Sequence, residues 1–288
     1  MLTVLAPAKL NLTLEVLAKR PDGFHEIRSV IQTINLSDSL HFQLGQGITF
    51  KCDEPKWLPG KSLVSKAVSL LQEVTGCSKG ASIEINKRIP LVSGLGGDSS
   101  DAAAVLRGLN QLWELGLSVQ ELVKLALQLG SDVAFFLYGG TVLVRGRGEL
   151  VTPLPPFPHM WVVLIVPPVP RLPGKTGQLY ASLKANHYTD GQITEKLVEM
   201  LKEGRELTPS LLFNTFENVA FTRLSKTNTC RSHAMKVGAP NVHLAGSGPT
   251  LYTLLEDRAQ AEELYLRLQH QRMQLYLAET LASIDQVE

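Results

Sequence analysis

The residues with the clearest capacity for chemistry lie in residues 89–104, which read Ile-Pro-Leu-Val-Ser-Gly-Leu-Gly-Gly-Asp-Ser-Ser-Asp-Ala-Ala-Ala. A basic, strand-like run ends at Pro90, and an alanine-rich helical pattern opens at Asp101. Glycines let the backbone approach a ligand closely, and the first amides of a helix lie at the positive end of its dipole. Ser99 and Ser100 add hydroxyls suited to phosphate oxygens or to Mg²⁺. The stretch therefore predicts an anion site, with phosphate as the expected ligand.

This glycine loop matches neither of two common nucleotide-binding patterns. No Gly-Lys-Ser or Gly-Lys-Thr closes it as in a Walker A loop, and Gly94-Leu95-Gly96-Gly97 lacks the Gly-x-Gly-x-x-Gly spacing because residue 99 is serine. The alternative interpretation is an ordinary strand-to-helix turn with a Ser or Asp cap. The loop alone does not choose between the two.

A lysine and an asparagine share one face of the first expected strand. From Leu10 onward the chain alternates apolar and polar residues, which is typical of a half-buried strand. In that register Lys9 and Asn11 lie on the face opposite Leu10 and Leu12. One interpretation is a solvated surface lysine, and the other is a cation directed into a cleft beside Asn11.

Asp132 is a lone acid at the start of an apolar run, between Gly130-Ser131 and Val133-Ala134-Phe135-Phe136. The first interpretation is the N-cap of a short helix that carries the two phenylalanines. The second is a partly desolvated carboxylate that abstracts or orients a proton.

An aromatic residue and a histidine follow a strong turn sequence, Pro21-Asp22-Gly23. Phe24 and His25 either belong to a simple turn between strands or form a substrate loop. In the second case the pair would stack on a planar ring and hydrogen-bond to it.

The elements that must position these residues alternate between strand and helix patterns. Ser62 to Val74 shows helical periodicity, and Ser118-Val119-Gln120-Glu121 is a capping box that opens a helix ended by Gly130. The other expected elements are strands at 2–16, at 30–44 with a break at 35–38, at 81–85, 161–166, 251–255 and 275–280, and helices at 102–115, 212–218 and 257–271. Proline-rich residues 153–158 mark the best domain boundary, and residues 167–173 form a second rigid loop.

Composition excludes several classes of protein. The apolar fraction is 44%, the charged fraction 19% and the net charge +1 over 288 residues, which argues against binding nucleic acid or a membrane surface through bulk charge. The three cysteines are far apart and odd in number, so neither a disulfide framework nor a zinc site is indicated. No apolar run reaches membrane-spanning length and no targeting segment is evident, so we expect a cytoplasmic protein.

Taken together, five motifs in order along residues 7–250 resemble one family. They are Pro7-Ala8-Lys9-Leu10-Asn11-Leu12, Arg20-Pro21-Asp22-Gly23-Phe24-His25, Gly94-Leu95-Gly96-Gly97 with Ser99-Ser100-Asp101-Ala102-Ala103, Gly130-Ser131-Asp132-Val133 and Gly246-Ser247-Gly248-Pro249-Thr250. The central loop and the last motif are typical of the GHMP kinases (galactokinase, homoserine kinase, mevalonate kinase and phosphomevalonate kinase). The first two motifs resemble the 4-diphosphocytidyl-2-C-methyl-D-erythritol kinases within that superfamily.

The resemblance implies an α+β fold of two domains, with the active site in the cleft between them. We expect an N-terminal domain for ATP and substrate at 1–152 and a C-terminal domain at 153–288. The implied reaction transfers the γ-phosphoryl of ATP, with Mg²⁺, to the 2-hydroxyl of the cytidyl substrate in the non-mevalonate isoprenoid pathway. The implied partner is therefore this small molecule, with no nucleic acid or membrane, and the chain is expected as a monomer or homodimer.

Residue roles follow from the same resemblance. Asp132 matches the acid that orients or deprotonates the hydroxyl, and Lys9 the lysine that offsets negative charge. The implied substrate residues are Asn11 for the polyol, Phe24 and His25 for the cytosine, and Thr176. The implied cofactor-binding residues are Lys87, Gly94, Leu95, Gly96, Gly97, Ser99, Ser100, Gly246, Ser247 and Gly248, with Ser99 or Ser100 near Mg²⁺.

The chain departs from the family pattern at three positions. Asp98 replaces the third glycine of Gly-Gly-Gly-Ser-Ser, Ser62 precedes Leu63 where the family often has asparagine, and Ala134 stands where Asp-Val-Pro-Phe has proline. A carboxylate at position 98 would repel a triphosphate unless it points away or meets Mg²⁺. Two alternatives stay open: a GHMP kinase acting on another alcohol, and a non-catalytic binding protein on the same fold.

Overall fold

The computed structural model describes residues 1–170, 174–269 and 273–284, and in these it contains two β-sheets with helices packed against them. The strands are β1 Leu2–Asn11, β2 Thr13–Lys19, β3 His25–Gly45, β4 Ile48–Cys52, β5 Gly80–Asn86, β6 Thr141–Gly146, β7 Leu150–Pro153, β8 Trp161–Val166, β9 Phe213–Asn214, β10 His243–Leu244, β11 Leu251–Leu255 and β12 Gln274–Glu279. The α-helices are α1 Leu63–Thr75, α2 Gly97–Leu112, α3 Val119–Leu129, α4 Ser131–Tyr138, α5 Lys175–Ser182, α6 Gln192–Lys202, α7 Glu217–Arg223, α8 Ser225–Lys236 and α9 Arg258–Gln269. The α+β class expected from the sequence is confirmed.

The long strand β3 organises the first sheet. It pairs antiparallel with β2 and β1 in succession, and with β6 and β5. Ile31 of β3 has a partner in β1 and another in β6, so these two strands lie on opposite edges of β3. The end of β1 and the start of β2 therefore meet over the middle of the sheet, where Lys9 and Asn11 lie.

The predicted break in this strand at residues 35–38 is wrong. β3 continues through it, and the pairing with β1 shifts register there, from Ser37 opposite Pro7 to Ile34 opposite Ala8. Two extra residues on β3 thus form a bulge, which bends a strand without ending it. Of the residues that suggested a break, Asn35 and Leu36 are the extra ones, and Ser37 and Asp38 stay paired with β1.

Helices α1 to α4 cover one face of the first sheet. The capping box at Ser118 and Glu121 is confirmed at the start of α3. The helix expected from Ala102 instead begins at Gly97, because the glycine loop itself supplies the first turn of α2. The core beneath these helices contains Phe42, Trp113, Phe135 and Phe136, all of them fully buried.

The second sheet has the strand order β10-β11-β8-β12. The strand at Trp161–Val166 is confirmed as β8. The helix expected over residues 212–218 is wrong in its first half: Phe213 and Asn214 form β9, which pairs parallel with β2, and α7 begins at Glu217. A strand from the second half of the chain therefore completes the sheet of the first half.

The two halves also share a hydrophobic core. One cluster joins Leu10, Leu12 and Ile34 of the first sheet to Leu164 and Tyr252 of the second. The predicted boundary at 152/153 stays a prediction. Residues 171–173 of the expected proline loop and residues 270–271 of the expected last helix lie outside the described residues. Among the described helices, none has the length and apolar character needed to cross a membrane.

Candidate active site

A cleft of about 1020 Å³ opens where residues from both halves of the chain meet. The first half contributes β1, β3, the glycine loop and α4, and the second half contributes α5 and the loop between β10 and β11. Of the predicted site residues, those that line this cleft are Lys9, Asn11, Phe24, His25, Gly94, Gly96, Asp132, Thr176, Gly246 and Ser247.

Lys9 is not a surface lysine. Its residue exposure is 5%, because both faces of β1 are covered at this point. Its Nζ donates to Asn11 Oδ1 at 2.5 Å, and Asn11 Nδ2 donates to Ser29 Oγ at 2.9 Å. This hydrogen-bonded series holds the lysine head in the cleft, and the cleft interpretation of Lys9 is supported over the solvated one.

Burial lowers the pKa of Lys9 from its usual value, and the negative charge of Asp132 partly opposes that effect. Asp132 lies in the first turn of α4, one residue after the helix begins, and Gly130 precedes the helix. Asp132 is therefore not the N-cap that the simpler interpretation required. Instead its half-buried side chain lines the cleft and acts on Lys9 through charge.

Phe24 and His25 are neighbours in sequence but differ in environment. The His25 ring stacks on Tyr180, with ring centroids 4.6 Å apart, and lies edge-on to Tyr188 at 6.2 Å. Phe24 is 55% exposed at the rim, with the Arg147 guanidinium 4.8 Å from its ring centroid. His25 is thus fixed by packing, whereas Phe24 presents an open ring face.

Desolvation lowers the pKa of His25, and the positive charge of Lys19 lowers it further. The imidazole is therefore neutral at neutral pH. A neutral imidazole has one donor and one acceptor nitrogen, which suits hydrogen bonding to a heterocyclic base.

The glycine loop requires glycine at two positions for close approach. Gly94 has φ +91°, and a Cβ there would collide with the carbonyl oxygen of Ala245. Gly96 has φ +79°, and a Cβ there would lie 2.8 Å from the Phe136 ring and 3.1 Å from Lys9 Cγ. Gly96 is also the N-cap of α2, so the free amides of that helix begin beside Lys9.

The second glycine loop packs backbone to backbone against the first. The Thr250 amide donates to the Ser93 carbonyl at 3.2 Å, and a Cβ on Gly246 would lie 3.0 Å from both the Gly94 carbonyl and Lys9 Nζ. The loop connects β10 to β11 as a hairpin. It also closes one side of the cleft.

The two serines of the first loop differ in environment. Ser100 is 1% exposed, and its hydroxyl donates to the Pro7 carbonyl at 2.7 Å. Ser99 is half-buried and lines a second cavity of about 350 Å³ beside the loop. Leu95 anchors the loop, because its side chain is fully buried and its carbonyl accepts from the Lys9 amide at 3.0 Å.

Lys87 lies under the loop within a buried ion-pair network. Its Nζ is 2.5 Å from Asp38 Oδ2 and 2.6 Å from Asp101 Oδ2. Gly97 packs against it, since a Cβ at Gly97 would lie 3.4 Å from Lys87 Nζ. Burial raises the pKa of Asp101, and the two carboxylates together hold the pKa of Lys87 above its usual value despite its burial. The lysine therefore supports the loop from beneath.

Asp98 and Ser62, two of the three departures from the family pattern, bond to each other. Ser62 Oγ donates to Asp98 Oδ1 at 2.5 Å, and the Leu63 amide donates to Asp98 Oδ2 at 3.1 Å. Both carboxylate oxygens are thus engaged at the N-terminus of α1, where the helix dipole favours negative charge.

The cleft residues that were missed from the sequence include Arg147, Lys175 and Tyr180. Thr176, which was predicted, has its hydroxyl 2.8 Å from that of Ser247 across the cleft. No local pattern in Gly174-Lys175-Thr176-Gly177 shows that α5 already begins at Lys175. Placing Tyr180 required its ring contact with His25, a residue 155 positions earlier.

Comparisons with known proteins agree with this geometry. The family model of the GHMP kinases N terminal domain matches residues 62–140. The chain is 49% identical over 285 residues to the 4-diphosphocytidyl-2-C-methyl-D-erythritol kinase of Dehalococcoides mccartyi strain 195, covering 99% of this chain and 100% of that one. It is 38% identical to the enzyme of that name from Geobacillus thermodenitrificans, covering 92% and 91%.

Among solved structures, a 4-(cytidine 5'-diphospho)-2C-methyl-D-erythritol kinase matches with a TM-score of 0.83 and 31% identity, covering 97% of this chain and 99% of that one. A mevalonate kinase matches with a TM-score of 0.71 over 97% and 99% of the chains, at 13% identity, which shows the shared fold. The resemblance found in the sequence is confirmed.

Proposed function

Because the chain belongs to the family of 4-diphosphocytidyl-2-C-methyl-D-erythritol kinases, we propose that its central cleft is the site of phosphoryl transfer. The chain is an ATP-dependent kinase that phosphorylates 4-diphosphocytidyl-2-C-methyl-D-erythritol at its 2-hydroxyl in the non-mevalonate pathway. A cytoplasmic location and a monomeric or homodimeric state stay predictions.

One observation carries the site assignment: a buried lysine and a half-buried aspartate interact through charge in the cleft that both glycine loops border. We assign Asp132 to orient the hydroxyl and accept its proton, and Lys9 to offset the charge that develops on the transferred group. Phosphoryl transfer depends mainly on positioning and charge stabilisation. The series from Lys9 through Asn11 to Ser29 supports this role because it fixes the lysine head before substrate arrives.

His25 and Phe24 are assigned to the cytosine. The neutral imidazole, fixed by stacking on Tyr180, offers a donor and an acceptor to the base edge. Phe24 presents a free ring face at the rim for stacking on the base. Asn11 and Thr176 line the same cleft and are assigned to the methylerythritol end.

The nucleotide is assigned to the glycine loop and the cavity beside it. That second cavity shares Val92, Gly94 and Gly96 with the main cleft, so a triphosphate that spans the two must lie along the loop. The wall of this cavity includes Trp57, whose Nε1 is buried and has no partner among the described residues. An aromatic ring in the wall suits stacking on a nucleotide base.

Mg²⁺ would reach the site with the nucleotide. No cluster of three His, Cys, Asp or Glu side chains in the described residues forms a metal cage, and the Asp98 oxygens are already engaged. Mg²⁺ usually keeps several waters and binds substrate phosphates, so this sparse donor set fits it, with Ser99 as the assigned hydroxyl. When bound, the ion neutralises phosphate charge.

The experiment that tests the function measures ADP release with Mg-ATP and each of three alcohols: 4-diphosphocytidyl-2-C-methyl-D-erythritol, mevalonate and homoserine. We expect turnover with the cytidyl compound alone. Turnover with mevalonate or homoserine instead would support kinase activity but refute the assignment of Phe24 and His25 to cytosine binding. No turnover with any of the three would support the non-catalytic alternative.

A further inference from the structure

Lys175, the first residue of α5, has no role in the site assigned above. It is 8% exposed, yet it lines the main cleft together with Lys9, Gly94 and Ser247. It reaches the cleft from the second half of the chain, whereas Lys9 comes from the first. A second lysine is therefore buried at the junction of the two glycine loops.

Two backbone carbonyls, one from each glycine-loop region, hold the Lys175 ammonium. Its Nζ donates to the carbonyl of Gly248 and, at 3.3 Å, to the carbonyl of Val92. An ammonium has three donors, so these two bonds leave one for a ligand. The head group is thus placed by both loops rather than by a carboxylate.

The surroundings of Lys175 contain more positive charge than negative. Burial and, to a smaller extent, the positive charge of Lys9 together lower the pKa of Lys175 to about 8. Such a shift means that the buried cation lacks enough compensating negative charge. A polyanion bound at the loop junction would supply it.

We propose that Lys175 is a second phosphate-binding cation of the transfer site, placed by the Val92 and Gly248 carbonyls so that its remaining N–H meets a phosphate oxygen beside Lys9. This inference rests on the proposed function and extends it, because it names the group that would hold the phosphate from the second half of the chain.

The proposal has a consequence for proton binding. Phosphate beside Lys175 raises the pKa of the ammonium, so binding above pH 8 takes up a proton and weakens as the pH rises. The titratable or charged side chains that line the cleft around Lys175 are Lys9 of β1, Lys19 of β2, His25 of β3, Asp132 of α4, Arg147 after β6 and Tyr180 of α5 itself. Lys9 also has a lowered pKa, so the test must separate the two lysines.

Lys175→Arg makes that separation. It keeps a cation beside Lys9 but removes the titration at residue 175, since guanidinium stays charged in proteins. We would measure the Kd of Mg-ATP by calorimetry between pH 7 and 9 without the alcohol, because terminal phosphates are ionised above pH 7. Lys175→Met removes the cation, and Lys184→Arg on an exposed residue after the same helix is the matched control.

For the wild type and Lys184→Arg we expect the Kd to rise about tenfold from pH 7 to pH 9, as required for a group of pKa about 8 that must be protonated in the complex. Lys175→Arg should bind about as tightly as the wild type at pH 7 and show little pH dependence. Lys175→Met should bind about tenfold or more weakly at pH 7, through loss of a charged hydrogen bond.

The same tenfold rise in Lys175→Arg, or wild-type affinity in Lys175→Met at pH 7, would overturn the proposal. If Lys175→Arg does not fold, proton uptake on nucleotide binding decides: about half a proton more per nucleotide in the wild type than in Lys175→Met at pH 8 supports the proposal, and equal uptake refutes it. Wild-type protein that binds no Mg-ATP would instead refute the proposed function.

Discussion

At the scale of single residues, His25 and Phe24 differ in how they would recognise a planar ring. His25 is fixed between Tyr180 and Tyr188, so its orientation is set before any ligand binds. Phe24 lies at the rim with the Arg147 guanidinium over its ring, and more than half of the residue is exposed. We therefore expect Phe24 to contribute binding energy through stacking, with little influence on the transfer step.

Phe24→Ala should raise the KM for the cytidyl substrate about tenfold and leave kcat and the KM for ATP within twofold, since stacking of one base on an aromatic side chain contributes about 1–3 kcal/mol. Steady-state kinetics with each substrate varied in turn would measure this. Leu44→Ala, which removes a side chain of similar exposure on β3 outside the cleft, is the control. An unchanged KM for the cytidyl substrate in Phe24→Ala would refute the stacking role.

The sequence was sufficient to locate the site residues that belong to a local sequence pattern. The alternation along β1 correctly put Lys9 and Asn11 on one face, but the same alternation suggested an exposed lysine, since burial depends on what packs against the strand. Lys175 and Tyr180 have no local pattern that marks them. Their positions in the site come from contacts with Val92, Gly248 and His25, which only the tertiary structure provides.

At the scale of elements, Asp98 links two helices. It lies in the first turn of α2 and accepts hydrogen bonds at the N-terminus of α1, from Ser62 and Leu63. The α1 dipole therefore offsets part of the negative charge of Asp98, which would otherwise repel a triphosphate. The two unusual residues at positions 62 and 98 thus form one structural unit beside the loop.

Asp98→Ala should lower the free energy of unfolding by about 1–2 kcal/mol, the usual cost of losing a helix cap, without tightening Mg-ATP binding. Urea denaturation and calorimetry would measure the two quantities. Ser118→Ala, which removes the cap of α3 away from the loop, should cost a similar amount. Tenfold tighter nucleotide binding in Asp98→Ala, with unchanged stability, would show that the carboxylate faces the phosphates instead.

Helices were easier to predict from the sequence than the ends of strands. The capping box of α3 is a local device and was found. The break in β3 was wrong because turn-forming residues also serve a bulge, and only the partner strand decides between them. The start of α2 was placed five residues too late because glycines and serines hide a helical first turn.

At the scale of the whole molecule, the active site depends on how the two halves join. Tyr252 of β11 donates its hydroxyl to the Asn11 carbonyl at 2.8 Å, and Asn214 of β9 donates to the Gly246 carbonyl at 2.8 Å. The first contact crosses between the two halves, and the second ties the second glycine loop to β9, which pairs with β2 of the first half. The α+β class and the cleft were expected through the family resemblance, whereas the crossing of β9 into the first sheet was not, because a two-residue strand has no periodicity to detect.

The most direct test of the account is turnover by Asp132→Asn. Removing the charge and the proton acceptor should lower kcat by about 10²–10⁴-fold, while the Kd for Mg-ATP stays within threefold of the wild type. Asp190→Asn, an exposed acid outside the cleft, should retain full turnover as the control. A kcat for Asp132→Asn within threefold of the wild type would remove Asp132 from the mechanism and contradict the assignment of the cleft.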